Sequence, residues 1–305
     1  LEVSGTGKGR KMFIREKKID CNDYREVDII PRTEEAEKAV KGERRKRQKV
    51  TEPKQQELND KNAKRYLVQL GNGNFGVGDL HVCCTYAVMP ETEKEAERTV
   101  GNYLRRIAYR RTKLGLPPLK YILVTEYGMK DSGEIIRIHH HIIMNGGLSR
   151  DEVEMMWTSE RINWRKYDAD PKYSRQSVTK LGWVNADRIQ VDKNGIEALC
   201  MYLVKCPKKK KRWSSSRNLI RPERLPDADH KYSRKKVAEL AKSADQGKIF
   251  FEKQFPAYTI SEVKAEYYED TGWHIYLKMW KKPKKVPQKQ KKPKKAGKGG
   301  KAGKR

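Results

Sequence analysis

From residue 80 onward apolar and polar positions alternate in a run rich in strand formers. Leu80, Val82, Cys84, Tyr86 and Val88 fall on one face, which predicts a strand over Leu80 to Val88. After Pro90 the period changes. Val100, Leu104 and Ile107 form one helical stripe between Glu91 and Leu114, with Arg110 and Lys113 near its end and Gly115 beyond. Strands are expected over Leu119 to Tyr127 and Glu134 to Asn145, and Ser149-Arg150-Asp151-Glu152 is a capping box that opens a helix to about Trp157. Asn185 to Val191 reads as a fourth strand. Asn194 is expected to cap a last helix, carrying Ile196, Leu199, Leu203 and Val204 as far as Pro207.

That order of elements (β-α-β-β-α-β-α) is the split βαβ plan of a ferredoxin/RRM-like α+β fold, an antiparallel βαββαβ sheet with flanking helices. Residues 63–212 are read as this packed domain. Residues 1–62 offer little apolar periodicity and read as a basic arm, with short strands at Met12 to Ile14 and Val27 to Ile30 and a basic run from Arg44 to Lys49. Residues 213–280 read as an accessory segment with a helix near Ser233 to Ala241 and strands at Tyr258 to Val263 and Trp273 to Met279. Residues 281–305 hold 13 Lys or Arg and no acid, and are expected to be a disordered tail.

Composition sharpens the class of partner. With 69 Lys and Arg against 40 Asp and Glu, the 305-residue chain carries a formal +29, so a polyanion such as nucleic acid is the first partner to consider. No apolar stretch approaches the roughly 18 residues of a membrane span, so the expectation is a cytoplasmic protein with no membrane partner. Five cysteines without a C-x-x-C pair argue against a disulfide framework or a zinc finger. Gly71-Asn72-Gly73-Asn74-Phe75-Gly76 matches G-x-G-x-x-G but precedes a strand instead of following one, and reads as a glycine-rich turn. No P-loop motif occurs, so no nucleotide cofactor is expected.

The informative cluster is His139-His140-His141 inside the third strand. Side chains alternate, so His140 joins Ile136, Ile138, Ile142 and Met144 on a core face, while His139 and His141 share the opposite side with Arg137 and can converge on one cation. A two-residue turn at Ser132-Gly133 would set Glu126 directly opposite His139. Two imidazoles and a carboxylate suit Mn²⁺, Mg²⁺, Zn²⁺ or the iron of oxygenases; the alternative is that Glu126 is a solvated strand residue. Four tyrosines have a base three residues on, close to the about 3.4 pairs that random composition gives. Of these only Tyr202 and Lys205 lie on the apolar helix after the fourth strand, where i and i+3 share a face and Tyr202 can reach a metal on the central strands; the alternative is a core aromatic.

The segments "DLHVCCTYA", "LVTEYG", "RIHHHIIMNGG" and "ALCMYLVK" resemble the motifs of HUH endonucleases, specifically rolling-circle replication initiators of phages, plasmids and integrative elements. The resemblance covers about residues 64 to 215. It implies His139, His141 and Glu126 as ligands of a divalent ion, Mn²⁺ or Mg²⁺, with Tyr202 as the single nucleophile and Lys205 as its accessory. One position departs from the pattern: the middle residue, usually apolar, is His140. The implied reaction nicks and rejoins single-stranded DNA at an origin through a 5′-phosphotyrosyl link, in a bacterial cytoplasm, alongside a host helicase and polymerase. Lys208, Lys209, Lys210, Lys211 and Arg212 followed by Trp213 are candidates to hold the strand by charge and stacking, or are a solvated loop. A relaxase, a single-tyrosine transposase and a non-catalytic nucleic-acid-binding module are the competing readings.

Overall fold

The computed structural model describes residues 12–35, 37, 53–129, 135–170, 178–204 and 212–283. Within them, much of the polar N-terminal region is integral to the fold. β1 (Met12–Cys21) and β2 (Tyr24–Thr33) form an antiparallel hairpin, in register from Met12 against Thr33 to Cys21 against Tyr24. Both strands are longer than their few apolar residues predict. Glu16, Glu26 and Asp28 are buried beside Ile14, Val27 and Ile29, and each acid is satisfied from another element. Lys231 Nζ and Tyr232 Oη both donate to Glu16 at 2.8 Å. Arg65 grips Asp28 at 2.6 and 2.8 Å and Glu26 at 2.5 Å, and Gln69 adds a bond to Glu26 at 2.7 Å.

Arg65 and Gln69 belong to α1 (Pro53–Asn72), which starts ten residues before the expected edge of the packed domain. Pro53 suits its first turn, where a missing N–H costs nothing. The face bearing Leu67, Val68 and Leu70 is fully covered. The glycine-rich motif straddles the helix end: Gly71 and Asn72 are still helical, and the turn follows.

Beyond it lie β3 (Leu80–Cys84), α2 (Glu93–Lys113), β4 (Tyr121–Met129), β5 (Ile135–Met144), α3 (Arg150–Met155), α4 (Trp164–Ala169), β6 (Val184–Arg188) and α5 (Glu197–Leu203). Thr92 accepts from Glu95 N to cap α2, and Ser149 with Glu152 forms the capping box of α3. The two-residue β7 (Ser214–Ser215) completes a sheet in the order β6-β3-β5-β4-β7, with every neighbouring pair antiparallel. On one face Leu80, Val82, Ile142 and Met144 pack against Val100, Tyr103, Leu104 and Ile107 of α2 and against Trp157. On the other face Ile122, Val124 and Ile143 pack under α1 and under Ile196, Cys200 and Leu203 at and within α5.

The remaining segment, expected to be accessory, supplies β8 (Glu223–Arg224), β9 (Ala228–Asp229), α6 (Arg234–Lys242), α7 (Lys248–Gln254), β10 (Tyr258–Tyr268) and β11 (Gly272–Lys281). These strands join the N-terminal hairpin in a second sheet, β10-β11-β2-β1-β8, with β9 also on β1. Val237 and Leu240 of α6 and Phe251 of α7 cover one of its faces. The expected tail begins too early, because Lys281 N donates to Asp23 O and Lys282 N to Ala257 O, both at 2.8 Å. Residues 284–305 and the basic run from Arg44 to Lys49 lie outside the described residues. The protein is thus α+β with antiparallel sheets, and no helix of the described residues is long and apolar enough to cross a membrane.

Candidate metal and nucleophile site

The two faces of β5 separate the three histidines. His140 is fully buried under α2, where Tyr86 Oη lies 2.8 Å from its Nε2 and Thr125 Oγ1 lies 3.0 Å from its Nδ1. Both ring nitrogens are engaged and Trp157 packs edge-on at 6.0 Å, so it is a core residue. His139 and His141 face the other way, with ring centroids 6.3 Å apart. Glu126 is paired with His139 across the β4–β5 ladder, the register expected from the sequence, although the turn itself lies outside the described residues. Its Oε2 lies 3.6 Å from His141 Nε2. Two donors bound to one ion at about 2.1 Å each are separated by about 3.0 to 3.4 Å in octahedral or tetrahedral geometry, so this pair needs little movement to share a cation.

β3 contributes two residues that reading the sequence alone passed over. Cys83 is the ladder partner of His141, and His81 stands opposite Ile143 on the same face. His81 Nε2 lies 3.3 Å from His141 Nδ1, and the two rings stack with centroids 5.5 Å apart. The alternation of Leu80, Val82 and Cys84 already turned His81 and Cys83 to the opposite face. What was missing is that β3 lies directly beside β5, although α2 and β4 come between the two along the chain.

Burial sets the protonation of this cluster. It pushes His81 down to about 4, helped by neighbouring His141. It also lowers His139, with Arg137 adding to the effect and Glu126 opposing it, and lowers His141 against the pull of Glu126. All three imidazoles are therefore neutral at pH 7, the form that ligates metals.

Tyr202 stands on α5 with 59% of its surface exposed, and its ring meets His141 edge-on with centroids 6.1 Å apart. It is not a core aromatic. The helix is held from both sides. Gly71 permits close approach of α1, since a Cβ there would lie 2.6 Å from Cys200 Sγ. Asn194 does not cap α5 with its side chain as expected; instead its Nδ2 donates to Glu262 and its carbonyl accepts from Asn72, both at 2.9 Å. Asn72 Oδ1 in turn accepts from Ile196 N at 2.9 Å. Lys278 of β11 bridges Glu197 of α5, at 2.7 and 2.8 Å, and Glu262 of β10, at 2.9 Å.

The candidate strand-binding residues divide differently. Lys205 and Lys208 to Lys211 lie outside the described residues. Arg212 forms an ion pair with Asp60 and donates to Asn59 O at 3.2 Å, while Trp213 stacks on Tyr66 of α1 with centroids 6.5 Å apart. Both tie the segment after α5 to α1.

Residues 79–211 match a family model described as a replication-associated protein, of the ORF2 type. The matched span runs from the approach to β3 through α5 and includes Cys83, Glu126, all three histidines of β5 and Tyr202. No curated protein and no solved structure matches the chain.

Proposed function

We propose that the protein is a replication initiator that nicks and rejoins single-stranded DNA at an origin, with Tyr202 as nucleophile and a divalent ion held by His139, His141 and Glu126. The observation that carries this reading is the meeting of Tyr202 with His141 beside Glu126, on strands inside the span that matches the replication-associated family. The order β6-β3-β5-β4, antiparallel throughout, supports a ferredoxin-like HUH endonuclease plan.

A bound divalent ion would polarise the scissile phosphate and offset the charge that repels a nucleophile. The protein's own groups do the rest. With His141 Nδ1–H donating to His81 Nε2, the Nε2 lone pair of His141 is left facing Glu126, so His81 fixes both tautomer and ring orientation. Because α5 is braced by Asn72 and Lys278, Tyr202 is held over the histidines and not left to swing on a free helix. Tyr202 Oη forms a bond to phosphorus as it loses its proton, with Lys205, three positions on in the sequence, to stabilise the phenolate. The bond from phosphorus to the 3′ oxygen breaks, and that oxygen leaves as a 3′-OH after taking up a proton. The phosphotyrosyl ester keeps the bond energy, so the 3′-OH can reverse the step without a nucleotide cofactor.

The test is incubation of the full chain with a labelled single-stranded oligonucleotide and Mn²⁺ or Mg²⁺, then a denaturing gel. A DNA adduct that requires the ion and disappears in Tyr202→Phe is expected. An adduct that persists in Tyr202→Phe but disappears in another tyrosine variant would remove Tyr202 from this role. Binding without any cleavage would leave a non-catalytic binding protein.

A further inference from the structure

We propose that Cys83 is a protein ligand of the same ion, so that the site is built from two imidazoles, a thiolate and a carboxylate and prefers zinc-class divalent ions to magnesium. This rests on the reading that His139 and His141 hold a divalent ion. The donor atoms of Cys83, His139 and His141 all lie within 4.8 Å of one another, and they are the one group of three or more such donors that converges among the described residues. Glu126, 3.6 Å from His141, adds a carboxylate on the same face.

The other described cysteines set Cys83 apart. Cys21, Cys84 and Cys200 are buried, Cys84 and Cys200 inside apolar cores. Cys83 is half-buried, faces away from the α2 core, and is fixed by backbone pairing to His141 on one side and Asn185 on the other. Its place beside the imidazoles is therefore set by two central ladders and not by a loop. Bond lengths of about 2.0 to 2.3 Å for nitrogen and sulfur on zinc place such donors about 3.5 Å apart, a closure that side-chain rotation supplies.

The chemistry follows from the donor set. Oxygen-only sites suit Mg²⁺, whereas a thiolate with imidazoles selects softer ions. Binding forms a sulfur–metal bond and releases the thiol proton to solvent, with no change of oxidation state. A thiolate plus the Glu126 carboxylate balances the two positive charges of the ion, which suits a half-buried strand floor better than a site carrying net charge.

The experiment is titration of the metal-free full chain with Co²⁺, followed by absorption spectroscopy and calorimetry. The expected result is a thiolate-to-cobalt charge-transfer band in the near ultraviolet together with visible ligand-field bands, neither displaced by excess Mg²⁺. Cys83→Ser should lose the charge-transfer band, keep ligand-field absorption and weaken Co²⁺ and Zn²⁺ binding by at least about tenfold, the loss seen when even an outer partner of a ligand is removed. Cys83→Asp should recover much of that affinity without the band, which guards against a variant that merely misfolds. Ligand-field absorption with no charge-transfer band, or a band that survives in Cys83→Ser, would overturn the assignment of Cys83 while leaving the ion site in place. No cobalt binding by the wild-type chain would overturn the ion site itself, and this inference with it.

Discussion

The two sheets bury polar side chains for different ends. In the sheet containing β3, β4 and β5 the donors converge: His139, His141, Cys83 and Glu126 sit within reach of one another on one face, and Glu126 there faces His141, a neutral imidazole and not a Lys or Arg. In the sheet containing β1, β2, β10 and β11 the buried acids are each matched by a base or donor, Glu16 by Lys231, Asp28 by Arg65, Glu262 by Lys278. Unneutralised donors on adjacent central strands leave room for a cation; neutralised ones hold elements together. The second sheet acts on the first through α1 and Lys278, which fix the helix carrying Tyr202.

Four substitutions test that contrast, the most severe first. Tyr202→Phe should reduce adduct formation to background with single-strand affinity nearly unchanged, measured by denaturing gel and by fluorescence anisotropy. His140→Ala should destabilise the chain by about 2 to 4 kcal/mol, because it opens a cavity and strands the Tyr86 and Thr125 hydroxyls. His141→Ala should instead abolish metal binding at a much smaller cost in urea midpoint. If the two histidines exchange these effects, the two faces of β5 have been assigned the wrong way round.

Lys278→Met should cost about 1 to 2 kcal/mol, since it leaves Glu197 and Glu262 without their shared cation in a partly buried place. Its diagnostic readout is kinetic: the nicking rate should fall while metal affinity, set on β3 to β5, stays constant. A parallel loss of metal affinity would mean that the sheets are not separable. The smallest effect concerns acid. Lys231 and Tyr232 hold the Glu16 carboxyl below its usual range despite the opposing effect of burial. Its stabilisation is therefore complete above the unfolded value near 4.5 and is lost as pH falls below it. Glu16→Gln should be less stable than the parent at pH 7 and should flatten this acid limb in denaturant melts taken between pH 3 and 6.

What was legible in the sequence follows the same division. The strands and helices from Leu80 to Leu203 have apolar faces with clear periods, so their order and the Glu126–His139 register could be read directly. Cys83 and His81 escaped because the pairing of β3 with β5 is non-local and no turn announces it. The N-terminal hairpin and α1 escaped for another reason. Their buried positions include Glu16, Glu26, Asp28 and Gln69, which look solvated until the partners, tens to hundreds of residues away, are known. Arg212 and Trp213 looked like a free strand-binding edge for the converse reason, their partners Asp60 and Tyr66 lying on a helix the polar composition had hidden.

The pairing of β2 with β11 has a consequence for biosynthesis. Ile29 meets Ile275 and Tyr24 meets Trp280, so a sheet begun at the start of the chain is completed only by nearly the last described strand. The whole β3 to α5 unit is threaded between the halves of that sheet. On the ribosome the histidine strands can form from neighbouring hairpins, but the Lys278 brace on the Tyr202 helix arrives with β11, after closing a loop of some 250 residues, the slow kind of contact. A nascent chain would therefore carry its ion site before its nucleophile is fixed in place, which delays strand cleavage until synthesis is almost finished.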